Sequence, residues 1–153
     1  VGDDYPIYGD LKAHVYDKGQ AAGDGSNPGT VLYNRGMVAA MWAAEAMRKA
    51  MEIHGTNELT PAMVRDGYEA LDVDEARLEA LGLPGFTVPV KVSCANHGGP
   101  GLGAIQQWDA KAKEWKLITD YIPADREVVD PLIQEDSMAY AKEAGITPRE
   151  CNM

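Results

Sequence analysis

Tyr33-Asn34-Arg35-Gly36-Met37-Val38-Ala39-Ala40-Met41-Trp42-Ala43-Ala44-Glu45-Ala46-Met47-Arg48-Lys49-Ala50-Met51 is the stretch on which the fold turns. Its first four residues read as a polar turn, and the remainder as an Ala- and Met-rich helix. Met37, Met41, Ala44, Met47 and Met51 recur at steps of four, three, three and four, with Val38 and Trp42 beside them. That is the helical period, and such a stripe needs covering. The turn would deliver Tyr33, Asn34 and Arg35 to the start of a rigid element, where a ligand can be read. Glu45, Arg48 and Lys49 interrupt the run, which falls short of the roughly 20 apolar residues that a bilayer span requires.

Working outward, residues 6–20 read as a first helix with Ile7, Tyr8, Leu11 and Val15 on one side. Residues 21–29 form a loop rich in helix breakers. The long helix should run over 31–53, with Gly55 at its C-terminal turn. Thr60 and Pro61 suit the cap and first position of the next helix, whose apolar side is Met63, Val64, Tyr68 and Leu71. A short helix follows over 74–81. The period then changes. Residues 86–93 read as a strand kept to an edge by Pro89, and 95–103 as a Gly-rich loop. Strands at 104–108 and 114–121 are joined by a turn at 109–113, and a last helix covers 129–144.

The 153 residues, 45% hydrophobic and 25% charged, fit one globular domain. A net charge of −10 disfavours nucleic acid and anionic membrane surfaces as partners. The chain opens abruptly at Val1-Gly2-Asp3-Asp4, with neither Met nor a secretory leader. This is the expectation for a trimmed product or part of a longer protein.

His97-Gly98-Gly99-Pro100-Gly101 is the loudest local string. A run of this kind supplies oxyanion-hole N–H groups in some serine hydrolases. Ser26, Ser93 and Ser137 all lack the Gly-x-Ser-x-Gly context that reading needs, so the string reads as a loop between strands. Gly99, Gly101 and Gly103 precede a strand where a phosphate-binding turn would precede a helix. His14, His54 and His97 lie on separate elements without metal-site spacing, and Asp72, Asp74, Glu75 and Glu79 read as a solvated acidic face. No catalytic residue, metal or cofactor is expected. Cys94 and Cys151 are compatible with a disulfide or with two free thiols, depending on the compartment.

Four segments in order carry a resemblance. They are Tyr33-Asn34-Arg35-Gly36 with the helix ending Glu45-Ala46-Met47-Arg48-Lys49-Ala50, then Leu59-Thr60-Pro61 to Leu71, then Val88 to Gly99, and finally Ile105 to Trp108 with Trp115 to Tyr121. Together they resemble the C-terminal part of branched-chain amino acid type solute-binding proteins of ABC importers. The resemblance implies a two-lobe α/β fold, the type I periplasmic-binding fold. This chain, 1–153, would be a partial α+β segment of it with four to five helices and a small sheet that includes a C-terminal β-hairpin. The helical part would cover about 5–82, the strand and hairpin part 86–122, and the C-terminal helix 129–144. Tyr33, Asn34 and Arg35 would contact a small-molecule ligand, an amino acid or small carboxylate, in the interlobe cleft. A Cys94–Cys151 disulfide, an extracytoplasmic or periplasmic location, and ABC-permease membrane subunits as partners are also implied. Alternatives are a ligand-sensing domain of a regulator and a hydrolase using the His97 loop. An isolated segment with uncovered apolar surface is expected to self-associate.

Overall fold

The computed structural model describes residues 2–23 and 25–151; Val1 of the opening tetrapeptide and Asp24 of the 21–29 loop lie outside them. Among the described residues there are five α-helices, a π-helical turn and three two-stranded antiparallel sheets. Residues 1–99 and 100–153 form two compact units.

In the first unit, α1 (Pro6–Leu11) runs into a π-turn at Lys12–Tyr16, where one continuous helix was expected. The Asp17 N–H reaches back five residues to the Lys12 carbonyl at 2.8 Å, and Gly19 turns the chain with φ 63°. The long helix, α2 (Val31–His54), corrects the opening expectation. Tyr33, Asn34, Arg35 and Gly36 are its first turns, not a turn before it. The helix starts at Val31, as the 31–53 span had it, because Thr30 is extended and its carbonyl already accepts from the Asn34 N–H at 2.9 Å. Gly55 ends α2 in the left-handed conformation, φ 65°, with its N–H on the Met51 carbonyl.

The face that α2 buries also differs from the methionine stripe. Glu45, Ala46 and Ala50 are buried, whereas Met47 and Met51 are exposed. The reason lies in α3 (Pro61–Glu69), which is capped by the Thr60 hydroxyl accepting from the Met63 N–H. A Cβ on Gly67 would stand 2.0 Å from the Ala46 carbonyl oxygen and 2.9 Å from Ala50 Cβ. Three small residues therefore let two backbones approach closely, while Met47 and Met51 are left exposed. The core continues through Leu71, Val73, Leu78, Leu83 and Val90, with Ile7, Met41, Trp42 and Phe86 packed around it.

β1 (Asp72–Val73) pairs with β2 (Val90–Lys91), and α4 (Glu75–Ala80) lies between them in sequence. Asp74 caps α4 by accepting from the Arg77 N–H at 2.8 Å. The strand expected over 86–93 is reduced to two ladder residues. Pro89 has no N–H to offer on one side, and on the other the pairing extends only by the Val92 N–H to the Leu71 carbonyl at 2.9 Å.

In the second unit, β4 (Gln106–Asp109) and β5 (Glu114–Leu117) form the expected hairpin, with Trp108 opposite Trp115. Their ring centroids are 5.5 Å apart. Within the expected Gly-rich loop, β3 (Leu102–Gly103) pairs with β6 (Ile122–Pro123), a pairing the sequence reading missed. α5 (Arg126–Ala144) begins three residues before the expected start because Asp125 caps it, and it carries Pro131 within its length. Cys94 and Cys151 are joined in a disulfide.

Candidate functional site

The N-terminal turns of α2 present two different surfaces. On one, Tyr33 and Asn34 are committed to the chain itself. The Tyr8 hydroxyl donates to the Asn34 side-chain oxygen and accepts from the Gly29 N–H at 3.1 Å. The Asn34 amide donates to the Gly2 carbonyl at 3.0 Å. The Tyr33 and Tyr16 hydroxyls are hydrogen-bonded at 2.8 Å, and the Tyr8 and Tyr33 rings stack with centroids 6.3 Å apart. The π-turn is what brings Tyr16 to Tyr33. The hydrogen bond from Tyr16, with burial adding to it, pushes the Tyr33 phenol up to about 12. Burial raises Tyr8 as well. Both phenols are therefore neutral across the physiological range. The cluster ties Gly2, Tyr8, Tyr16 and Gly29 to the start of α2.

The second surface is an open groove of about 460 Å³, lined by Asn34, Arg35, Val38, Ala39, Trp42, Phe86 and Thr87. Arg35 is exposed at its edge and makes no hydrogen bond or ion pair with the described residues. The Trp42 indole N–H is buried and finds no acceptor among the described residues. The groove thus combines a free guanidinium fork with an apolar wall, a set suited to a carboxylate that carries an apolar part. Of the three residues singled out in sequence, Arg35 faces this groove unencumbered, Asn34 lines it with its amide engaged, and Tyr33 belongs to the phenol cluster. Sequence reasoning named Trp42 only as core and missed Phe86, because the contact joins α2 to a loop more than forty positions away.

A charged cluster also went unread. Glu45 is buried on α2 and is gripped by Arg77 through two bonds of 2.7 and 2.8 Å and by Arg48 at 2.8 Å. The Arg77 hydrogen bonds, joined by Arg48, outweigh burial and hold the Glu45 carboxyl down to about 2. This arrangement fixes α4 on α2. In sequence, Glu45 looked like a polar interruption of a helix face.

The His97 loop is built differently from an oxyanion site. The Gly98 N–H is taken by the Asn96 side-chain oxygen at 3.1 Å, and the Asn96 amide donates to the Gly99 carbonyl. His97 is exposed, 3.4 Å from the Glu69 carboxylate. Among the described residues no three His, Cys, Asp or Glu side chains gather as a metal site. Asp72 pairs with Lys91, and Asp74 caps α4, so two of the four acidic residues have local tasks.

No family model matches the chain, and no curated protein matches it. A solved structure described as that of an ABC transporter permease from the Pseudomonas fluorescens group is similar to it, with 41% identity and a TM-score of 0.85. The match covers 99% of this chain and 36% of that chain, so the present chain spans about a third of its solved relative's length. This finding supports an ABC-transporter relationship. It overturns the expectation of an extracytoplasmic solute-binding protein, because the similar chain is described as a permease. Among the described residues no helix is long and apolar enough to cross a membrane.

Proposed function

We propose that this chain serves ABC transport as part of a permease-type component, by binding and not by catalysis. The observation that carries this reading is the 41% identity, sustained over 99% of the chain, to a protein described as an ABC transporter permease. Other subunits of a transporter are its partners on this reading. Arg35 is its ligand contact, with Trp42 and Phe86 supplying the apolar wall of the groove and a small carboxylate as the ligand class. The location proposed is extracytoplasmic, which the disulfide supports, since such bonds persist in oxidising compartments.

Affinity purification of the whole protein from detergent-solubilised membranes tests the transport role. An ABC-type ATPase or membrane subunit should be retained with it; recovery of the protein alone would refute the reading. Calorimetry with a panel of small carboxylates tests the groove. Arg35→Ala should weaken any binding by about tenfold or more, as expected for loss of a charge-assisted bidentate contact. Unchanged affinity would remove Arg35 from the site.

A further inference from the structure

A second cavity, of about 290 Å³, lies beside α2 and is lined by Leu11, by Met37, Met41 and Ala44 of α2, and by Leu81 and Leu83 beyond α4. It shares no lining residue with the Arg35 groove. Ala44 is exposed and Leu83 buried, so the cavity is a trough reached from solvent. Its one polar side chain is Glu45, and both carboxylate oxygens are already held by arginines. An occupant therefore meets carbon and thioether sulfur, and the two methionines let the wall adapt to it. The volume is at the small end of ligand pockets, which suits a single alkyl chain.

Positive charge stands next to this apolar wall. Met37, Met41, Ala44 and Arg48 follow at steps of four, three and four, which is one stripe of α2. Arg77 stands one turn before Leu81, whose N–H reaches the Arg77 carbonyl at 3.0 Å. Both arginines bind Glu45 through Nε and Nη2, and neither Nη1 has a partner among the described residues. The two side chains are 50% and 35% exposed. Two guanidinium groups share one carboxylate, so the cluster keeps a positive charge and open donors in a chain of net charge −10.

We infer that this trough binds a straight-chain aliphatic carboxylate, with its alkyl chain along Met37 to Ala44 and its head on the open Nη1 groups of Arg48 and Arg77. Charge complementarity selects that occupant. A cationic head would face two guanidinium groups, and a neutral one would forgo charge-assisted hydrogen bonds. The inference stands apart from the proposed ligand of the Arg35 groove and from the transport role.

Calorimetry on the whole protein with sodium dodecanoate, kept below its micellar concentration, tests it. One dodecanoate should bind per chain, about tenfold or more tightly than dodecyltrimethylammonium. Arg48→Gln, which leaves Arg77 on Glu45, should weaken dodecanoate by about tenfold. Ala44→Trp puts an indole into the trough from an exposed position, and should abolish binding with the far-ultraviolet circular dichroism unchanged. Equal affinity for the two head groups, or for the Arg48→Gln variant, would overturn the inference, since the trough would then be merely apolar. So would no binding at all, several dodecanoates per chain, or binding that survives Ala44→Trp, which would place the ligand on other apolar surface.

Discussion

Glu45 carries the largest electrostatic commitment of any single residue described. It is only 5% exposed, and its carboxylate is engaged on both oxygens. Its folded pKa, about 2, lies below its ordinary value of 4.5. A group depressed on folding stabilises the native state above its unfolded pKa, and that contribution is lost as pH falls through the folded value. Acid titration of stability should therefore show a loss of roughly 3 kcal/mol between about pH 4.5 and pH 2. In Arg77→Met the carboxylate keeps only Arg48. That variant should be less stable at pH 7 by about 3 kcal/mol, as for a broken buried pair, and flatter in acid. Urea denaturation across pH measures both, and an unchanged acid limb in the variant would remove Arg77 from the account. Lys113 is the other residue with a local consequence. It is the one non-Gly residue described with positive φ, 56°, at the end of the hairpin turn. Lys113→Gly should stabilise the hairpin by about 0.5–1 kcal/mol, since glycine adopts this conformation without a steric penalty. A lower denaturation midpoint in that variant would contradict it.

Among the elements, α2 and α3 show how close approach outranks hydrophobic periodicity. The sequence pattern favours Met37, Met41, Ala44, Met47 and Met51 as the inner face. The structure instead sets Ala46 and Ala50 against Gly67, where a Cβ has no room. Gly67→Ala should cost at least about 2 kcal/mol, because the helix backbone must shift to admit one methyl group. Thermal unfolding read by circular dichroism tests this, and a change under half that size would mean the crossing is looser than described. The hairpin shows the opposite case, in which local chemistry suffices. The Asp109 carboxylate accepts from the Lys111 and Ala112 N–H groups at 2.9 and 3.0 Å and from Lys116 at 2.7 Å, which closes the turn and fixes the register of Trp108 against Trp115. Lys116 and these N–H groups hold the Asp109 carboxyl below the usual range.

Across the whole molecule the disulfide is the one covalent constraint beyond the backbone. Closing a loop of about 57 residues should stabilise by roughly 4 kcal/mol in the chain-entropy account. Reduction, or Cys94→Ser with Cys151→Ser, should lower the urea midpoint accordingly. A midpoint unmoved by reductant would show that residues 94–151 are already constrained by other contacts. The same scale contains the largest correction to the sequence reading. The four motifs in order pointed to a solute-binding protein, whereas a chain described as a permease matches 99% of the residues. The motifs describe helices, a loop and a hairpin, and those elements are compatible with more than one transporter component.

The residues themselves determined what depends on near neighbours. Thr60 and Pro61 start α3, Gly55 stops α2, and Asp109 to Lys113 turn the hairpin, because caps and turns are satisfied within a few positions. Asn34 and Arg35 could be singled out from the sequence, but the groove they line could not. Only the tertiary structure decided which face of α2 is buried, that Glu45 sits between two arginines, that Tyr33 and Asn34 are held by Tyr16 and Tyr8, and that Leu102–Gly103 pairs with Ile122–Pro123. Apart from the neighbouring Arg48, each of these depends on a partner at least seventeen residues away, or on how closely two backbones can approach, and neither is written in the local period of a sequence.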